Sequence, residues 1–292
     1  FVVMDAVDVA FTEAAVGAGI STILILTALS LSGYREEDKP DIRKNSAQAV
    51  VALIIVCALG ILLAIGFHDI PSFGQQNTPA YQGVAQHYIH QSSREIGLPN
   101  IVTSILASYR GFDTLGEVTV VFTAGITVLA LLGYGLEKKP NASDTEKDDP
   151  LSLKKYIVLR VVSRMLIPFI LLFALYVQFH GDFGPGGGFQ AGVIFASGII
   201  LHILFYGRQQ TQKVISPKLT CYLMAIGVLI YAGTGITTMI RGGNFLDYNV
   251  LVRGNPVLGQ HLGILIIEFG VGVTVAAVML SMFYSFSKNT KD

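Results

Sequence analysis

Seven stretches of this chain are apolar for long enough to cross a bilayer. They cover residues 9–32, 47–67, 118–136, 157–179, 188–206, 219–240 and 262–286. A helix needs about 20 apolar residues to span the hydrocarbon core. The pattern therefore predicts an all-α, polytopic membrane protein of about seven transmembrane helices. A further stretch, 96–108, is too short to span and reads as an interfacial or re-entrant helix. Between the third and fourth stretches runs KKPNASDTEKDDP, whose charge density and prolines read as a solvated linker. It divides the chain into a three-span front (1–137), a linker (138–156) and a four-span back (157–288).

The basic residues alternate between the loops. Arg35, Lys39, Arg43 and Lys44 follow the first span, and Lys138, Lys139, Lys147, Lys154 and Lys155 follow the third. Arg208, Lys213 and Lys218 follow the fifth, while Lys288 and Lys291 close the chain. The opposite loops hold only Arg94, Arg110, Arg241 and Arg253. Cytoplasmic loops carry the excess of Lys and Arg, so the C-terminus is predicted cytoplasmic and the start outside. Asn141 opens Asn-Ala-Ser, but in a loop predicted cytoplasmic it is not expected to be glycosylated. Arg160 and Arg164, at the start of the fourth span, read as side chains snorkelling to that interface.

Composition agrees. Of 292 residues, 52% are hydrophobic and 14% charged, against about 25% charged in a soluble domain. Lys+Arg and Asp+Glu balance at 20 each, which points to no nucleic-acid partner. Cys57 and Cys221 lie in apolar spans and read as small hydrophobes. Cys/His spacing of the zinc type is absent. The chain opens on Phe1 with an apolar run, which reads as a start inside a longer protein.

Against this apolar background the carboxylates stand out. Glu13 and Glu268 sit inside spans, where an ionised group costs roughly 2.5–3.5 kcal/mol on insertion scales. Asp8 and Thr12 share a helix face, with Glu13 one residue further round. Ala14, Ala15, Gly17, Ala18, Gly19 and Ser21 follow, a composition suited to close helix contact. The plainer reading is a packing helix whose acids mark its boundary. Glu268 has only apolar neighbours within a turn, so its partners must come from another helix or subunit. It is either a proton-exchanging group or a structural acid bonded between helices. His261, seven residues earlier on a similar face, is a possible relay partner. Asp113 and Glu117 open the third span, either on an ion path or complementing the helix dipole. His202 lies within the fifth span and is either a relay or a hydrogen-bonded structural residue.

Two motifs concern packing. HGDFGPGGGFQAG joins the fourth and fifth spans. Pro185, Gly186, Gly187 and Gly188 dictate a tight reversal, and Gly188 and Gly192 begin a small-residue face. His180 and Asp182 read as solvated at the outer surface. Gly259 and Gly263 form a GxxxG pair in the last span.

These motifs carry a resemblance. Pro185–Gly192 (PGGGFQAG) and residues 259–277 (GQHLGILIIEFGVGVTVAA) resemble the B-type (MnhB) component of the Mrp/Mnh multi-subunit cation/proton antiporters. Residues 8–17 (DVAFTEAAVG) and 109–117 (YRGFDTLGE) resemble the C-terminal part of the A-type component of the same antiporters. That module is similar to a J-type subunit of respiratory complex I and to membrane-bound hydrogenase subunits. Val7 stands where the pattern usually has Pro. The resemblance implies a fused A/B component of a large bacterial inner-membrane complex that exchanges Na⁺ for H⁺, with other subunits, lipid, Na⁺ and H⁺ as partners. It implies no cofactor and no resident metal, transient Na⁺ apart. With no Lys inside any span, an ion-path or accessory role is expected. A subunit of a redox-linked pump and a purely structural scaffold are the alternatives.

Overall fold

The computed structural model describes residues 1–4, 6–31, 46–72, 74–132 and 157–289. Seven of its helices are long and apolar enough to cross a membrane, and the described residues form no strand. The expected linker 138–156, with Asn141 and its lysines, lies outside the described residues, as do Arg35, Lys39, Arg43, Lys44 and Lys291.

The first helix, α1 (7–31), is not uniform. It runs as an α-helix over Val7–Glu13, as a π-helix over Ala14–Ile20, and as an α-helix again over Ser21–Leu31. Of the stretch 96–108, expected as one short helix, only residues 101 onward are helical. A helix α3 (Gln86–Glu95) ends just before Gly97, whose φ of +82° suits a residue lacking Cβ. Asn100 then caps α4 (101–109) by accepting from Val102 N–H at 2.9 Å, and α4 turns π-helical over Ser104–Tyr109. The third span is α5 (Gly111–Leu131), which begins seven residues before the expected 118. Hydropathy excludes Asp113 and Glu117, whereas the electropositive start of a helix accepts them.

Four helices form the back half: α6 (Ile157–His180), α7 (Gly188–Tyr206), α9 (Pro217–Ile240) and α10 (Pro256–Asn289), with a short α8 (Arg208–Gln212) between α7 and α9. Ser216 and Asn255 cap α9 and α10, each followed by Pro at the first helical position. At 34 residues, α10 is about 51 Å long at 1.5 Å per residue. It is the mast against which α5, α7 and α9 pack.

Backbone contact sets the register along α10. A Cβ at Gly188 would collide with the Glu268 carbonyl, and one at Gly192 would lie 2.6 Å from the Gly272 carbonyl, so α7 runs parallel to α10. Gly227 sits against the Gly270 carbonyl and Thr274, while Ser281 donates to Thr220 at 2.8 Å, so α9 runs antiparallel. Glycine at these positions lets helices approach where lipid supplies no hydrophobic drive. Gly259 and Gly263 serve differently. Both are filled by Tyr248, from the segment joining α9 to α10, and hold no second spanning helix. The two glycines of α1 are likewise not tightly packed: Gly17 and Gly19 are exposed, with nothing nearer than 3.9 Å to a Cβ, whereas Ala15 packs against the core.

The chain separates into two compact units. One comprises Phe1–Leu31 and Gln91–Asp292; the other is Ser32–His90. The second holds α2 (Ser46–His68), whose spanning stretch Ala49–His68 has no buried residue. All contacts described below lie within the first unit.

Candidate functional site

The PGGG loop is the hub of the site. Its glycines leave backbone carbonyls and amides bare, and the front helices bind them. Asn100 Nδ2 donates to the Gly181 and Gly184 carbonyls, each at 3.0 Å. Thr103 Oγ1 donates to the Gly181 carbonyl at 2.6 Å, and the Asn100 amide donates to the Asp182 carbonyl at 3.1 Å. Gly186 N–H donates to Asp8 Oδ1 at 3.3 Å. Gly187, at φ +126°, turns the chain into α7. One turn on, Gln190 Nε2 donates to Thr12 Oγ1 at 2.7 Å.

These bonds enclose a cavity of about 240 Å³ lined by Asp8 and Thr12 from α1, Thr103 from α4, Glu117 from α5, Gln190 from α7 and Glu268 from α10. The Glu268 carboxylate occupies the space that side chains at Gly181 and Gly187 would fill; a Cβ at either would lie 3.1 Å from its oxygens. Much of the remaining wall is apolar and includes the buried Val118, Ile267 and Val271. Two tyrosines close the α5 side: Tyr231 donates to the Gly111 carbonyl at 2.7 Å and Tyr248 to the Ala107 carbonyl at 3.1 Å. Burial pushes the Tyr248 hydroxyl well above its ordinary range, so it stays a donor.

Of the residues singled out in the sequence, the cavity gathers Asp8, Thr12, Glu117 and Glu268. The groups against the Glu268 carboxylate come from its own module, at Gly181 and Gly187, while Asp8 and Glu117 of the front half line the same cavity. Glu13 points elsewhere: it is exposed, one position round α1 and outside the cavity lining. Asp113 is drawn away by Arg110, whose Nε donates to it at 2.6 Å on the surface. His202 lies in the opposite half of α7, bonded to Thr211 at 2.7 Å and stacked on Tyr206.

Asp182, expected at the surface in solvent, is 5% exposed and paired with His261 Nδ1 at 2.6 Å. The glycine turn folds it under the ends of the helices. Burial pushes its carboxyl up, and the adjacent His261 pulls the other way. Asn100, Thr103 and Gln190 were not singled out in the sequence. Gln190 had a visible signal, an amide in an apolar span beside the PGGG motif, whereas Asn100 and Thr103 matter only through partners some 80 residues away.

Three family models match the chain. Residues 158–281 match the domain related to the MnhB subunit of Na⁺/H⁺ antiporter. Residues 48–142 match the MbhE component of MBH, and residues 1–33 match its MbhD component. A protein of Rhizobium meliloti (strain 1021), named as a probable K(+)/H(+) antiporter A/B component, is 29% identical over 94% of this chain and 28% of its own length. A protein of Staphylococcus aureus (strain Newman), named as antiporter subunit mnhB2, is 35% identical over 45% of this chain and 94% of its own length. A chain of the Mrp complex from Dietzia sp. DQ12-45-1b superposes with a TM-score of 0.73 at 26% identity, over 100% of this chain and 31% of that one. A chain of the membrane-bound sulfane sulfur reductase, an archaeal respiratory membrane complex, gives a TM-score of 0.62 at 29% identity, over 82% of this chain and 97% of that one. The chain thus spans less than a third of the Rhizobium and Dietzia proteins that it matches.

Proposed function

The chain belongs to the family related to the MnhB subunit of Na⁺/H⁺ antiporters, and from that premise we propose that it is a membrane subunit of a multi-subunit monovalent cation/proton antiporter, with its acid-lined cavity on the ion path. The observation that carries this reading is the convergence of Asp8, Glu117 and Glu268, from three helices, on one cavity among the spanning segments. Three carboxylates so placed are stable when protons or a cation offset their charge. Within a lining that is otherwise largely apolar, the oxygens of Thr12 and Gln190 add to the carboxylates ligands of the kind a hard monovalent cation prefers.

In this reading the cell is bacterial, the membrane is the inner one, and the C-terminus is cytoplasmic, as the Lys and Arg distribution supports. The front and back modules meet at a fusion point within 138–156, consistent with family matches that end at 142 and resume at 158. Glu13 faces outward, toward a neighbouring subunit that would continue the path.

The test is Glu268→Gln in the whole complex, with exchange measured in everted vesicles and assembly followed on blue-native gels. Exchange should fall roughly tenfold or more, about 1.4 kcal/mol of barrier, with assembly intact. Unchanged exchange would remove Glu268 from the path. Loss of assembly with normal exchange in the complex that remains would favour a scaffold role.

A second reading is a subunit of a redox-linked respiratory pump. The observations favouring it are the near-complete coverage of the sulfane sulfur reductase chain and the matches to MbhD and MbhE. Copurification of iron–sulfur proteins with this chain would support it, and their absence would favour the antiporter.

A further inference from the structure

His261, partly exposed, and the buried Asp182 form a pair that the cavity itself does not use. Neither lines it, yet both lie at the same end of the bundle. Asp182 directly follows Gly181, whose backbone abuts the Glu268 carboxylate. His261 and Glu268 are seven residues apart on α10, hence on one face and about 10.5 Å apart in rise. Side chains on a helix lean toward its N-terminus, which aims Glu268 back toward His261. Exposure is graded along this line: the His261 side chain is 37% exposed and that of Asp182 7%. The geometry is that of an imidazole reached from the bulk phase, oriented by a buried carboxylate, two turns from a cavity acid.

We propose that His261 is the point at which protons pass between the bulk phase at this end of the bundle and Glu268, with Asp182 as its positioning residue. The inference rests on the cavity's being part of the ion path. Neutral His261 donates its Nδ1–H to Asp182, which leaves Nε2 free of a proton. Uptake at Nε2 forms an imidazolium, whose charge Asp182 stabilises. Release of the Nε2 proton to water leading to Glu268 restores the pair, and no other bond changes. Among the described residues, the titratable and charged groups on the elements around this half of α10 include Asp8 from α1, Tyr109 from α4, Arg110, Asp113 and Glu117 at the start of α5, His180 at the end of α6, Tyr231 and Arg241 from α9, and Asp247, Tyr248 and Arg253 from the following connection.

The experiment uses the whole complex in vesicles, with exchange followed against the pH of the phase facing His261. His261→Gln keeps a donor for Asp182, so the fold is retained; exchange should fall several-fold and lose its dependence on pH between about 6 and 8, where imidazole titrates. Asp182→Asn should move that dependence to lower pH by about one unit or more, because the imidazolium loses its counter-charge. Added imidazole should restore exchange to His261→Ala. A packing role would produce neither the shift nor the rescue, and their absence overturns the inference. If Glu268→Gln stops exchange while His261→Gln leaves both rate and profile unchanged, the cavity reading stands and this inference falls. If Glu268→Gln has no effect, the cavity reading itself has failed. Should the His261 and Asp182 variants not assemble, the unmodified complex decides: an exchange rate with no ionisation between about pH 6 and 8 overturns the proposal.

Discussion

At the scale of single residues, charge type says less than which neighbour reaches the charge first. Asp113 and Glu117 lie one turn apart on α5 and both are exposed, yet Arg110 pairs with Asp113 while Glu117 lines the open side of the cavity. Asp113→Asn should therefore leave exchange near normal and cost no more than the roughly 0.2–1 kcal/mol of an exposed ion pair. Glu117→Gln should slow exchange measurably in the same vesicle assay. Equal effects of the two would contradict the division. The same logic separates Asp8, hydrogen-bonded to the PGGG loop, from Glu13 on the outer face of the same helix. Sequence spacing showed that these acids lie close together on α1. It could not show which of them turns inward, because that depends on how α1 rolls against α7.

At the scale of helices, the glycines divide into those that touch another backbone and those that do not. Gly188 is pressed onto the Glu268 carbonyl, whereas Gly233, within α9, has nothing within 4 Å. Gly188→Ala should destabilise by about 1–3 kcal/mol, through overpacking, and displace the wall of the cavity. Gly233→Ala should be neutral or stabilise by up to about 1 kcal/mol, the gain in helix propensity. Thermal melting of the detergent-solubilised complex checks both. The GxxxG pair was legible in the sequence, but its partner was not: Tyr248 fills the notch, and the tight helix crossings fall instead at Gly192, Gly227, Gly270 and Gly272. Spacing identifies a notch on a helix, and only the neighbouring element identifies what enters it.

At the scale of the whole chain, front and back halves are joined by more than the linker. Asp8 to Gly186, Gln190 to Thr12, Thr103 to Gly181 and Tyr231 to Gly111 all cross between them. Spanning helices that are independently stable in the bilayer associate afterwards through such packing and hydrogen bonds. Cutting the chain within 138–156 and expressing both pieces together should therefore give halves that copurify and retain most of the exchange. Halves that do not copurify would place the linker among the determinants of assembly. Seven spans, their approximate limits and the presence of costly acids followed from the sequence alone, because the thickness of the bilayer and the price of charge within it act on each segment separately. That Glu268 and Asp8 line one cavity, that Asp182 leaves solvent for His261, and that Asn100 clasps the PGGG loop were decided by the tertiary structure. Those juxtapositions join residues some 80 to 260 positions apart, and no local pattern of apolar and polar residues encodes which helix faces turn toward one another.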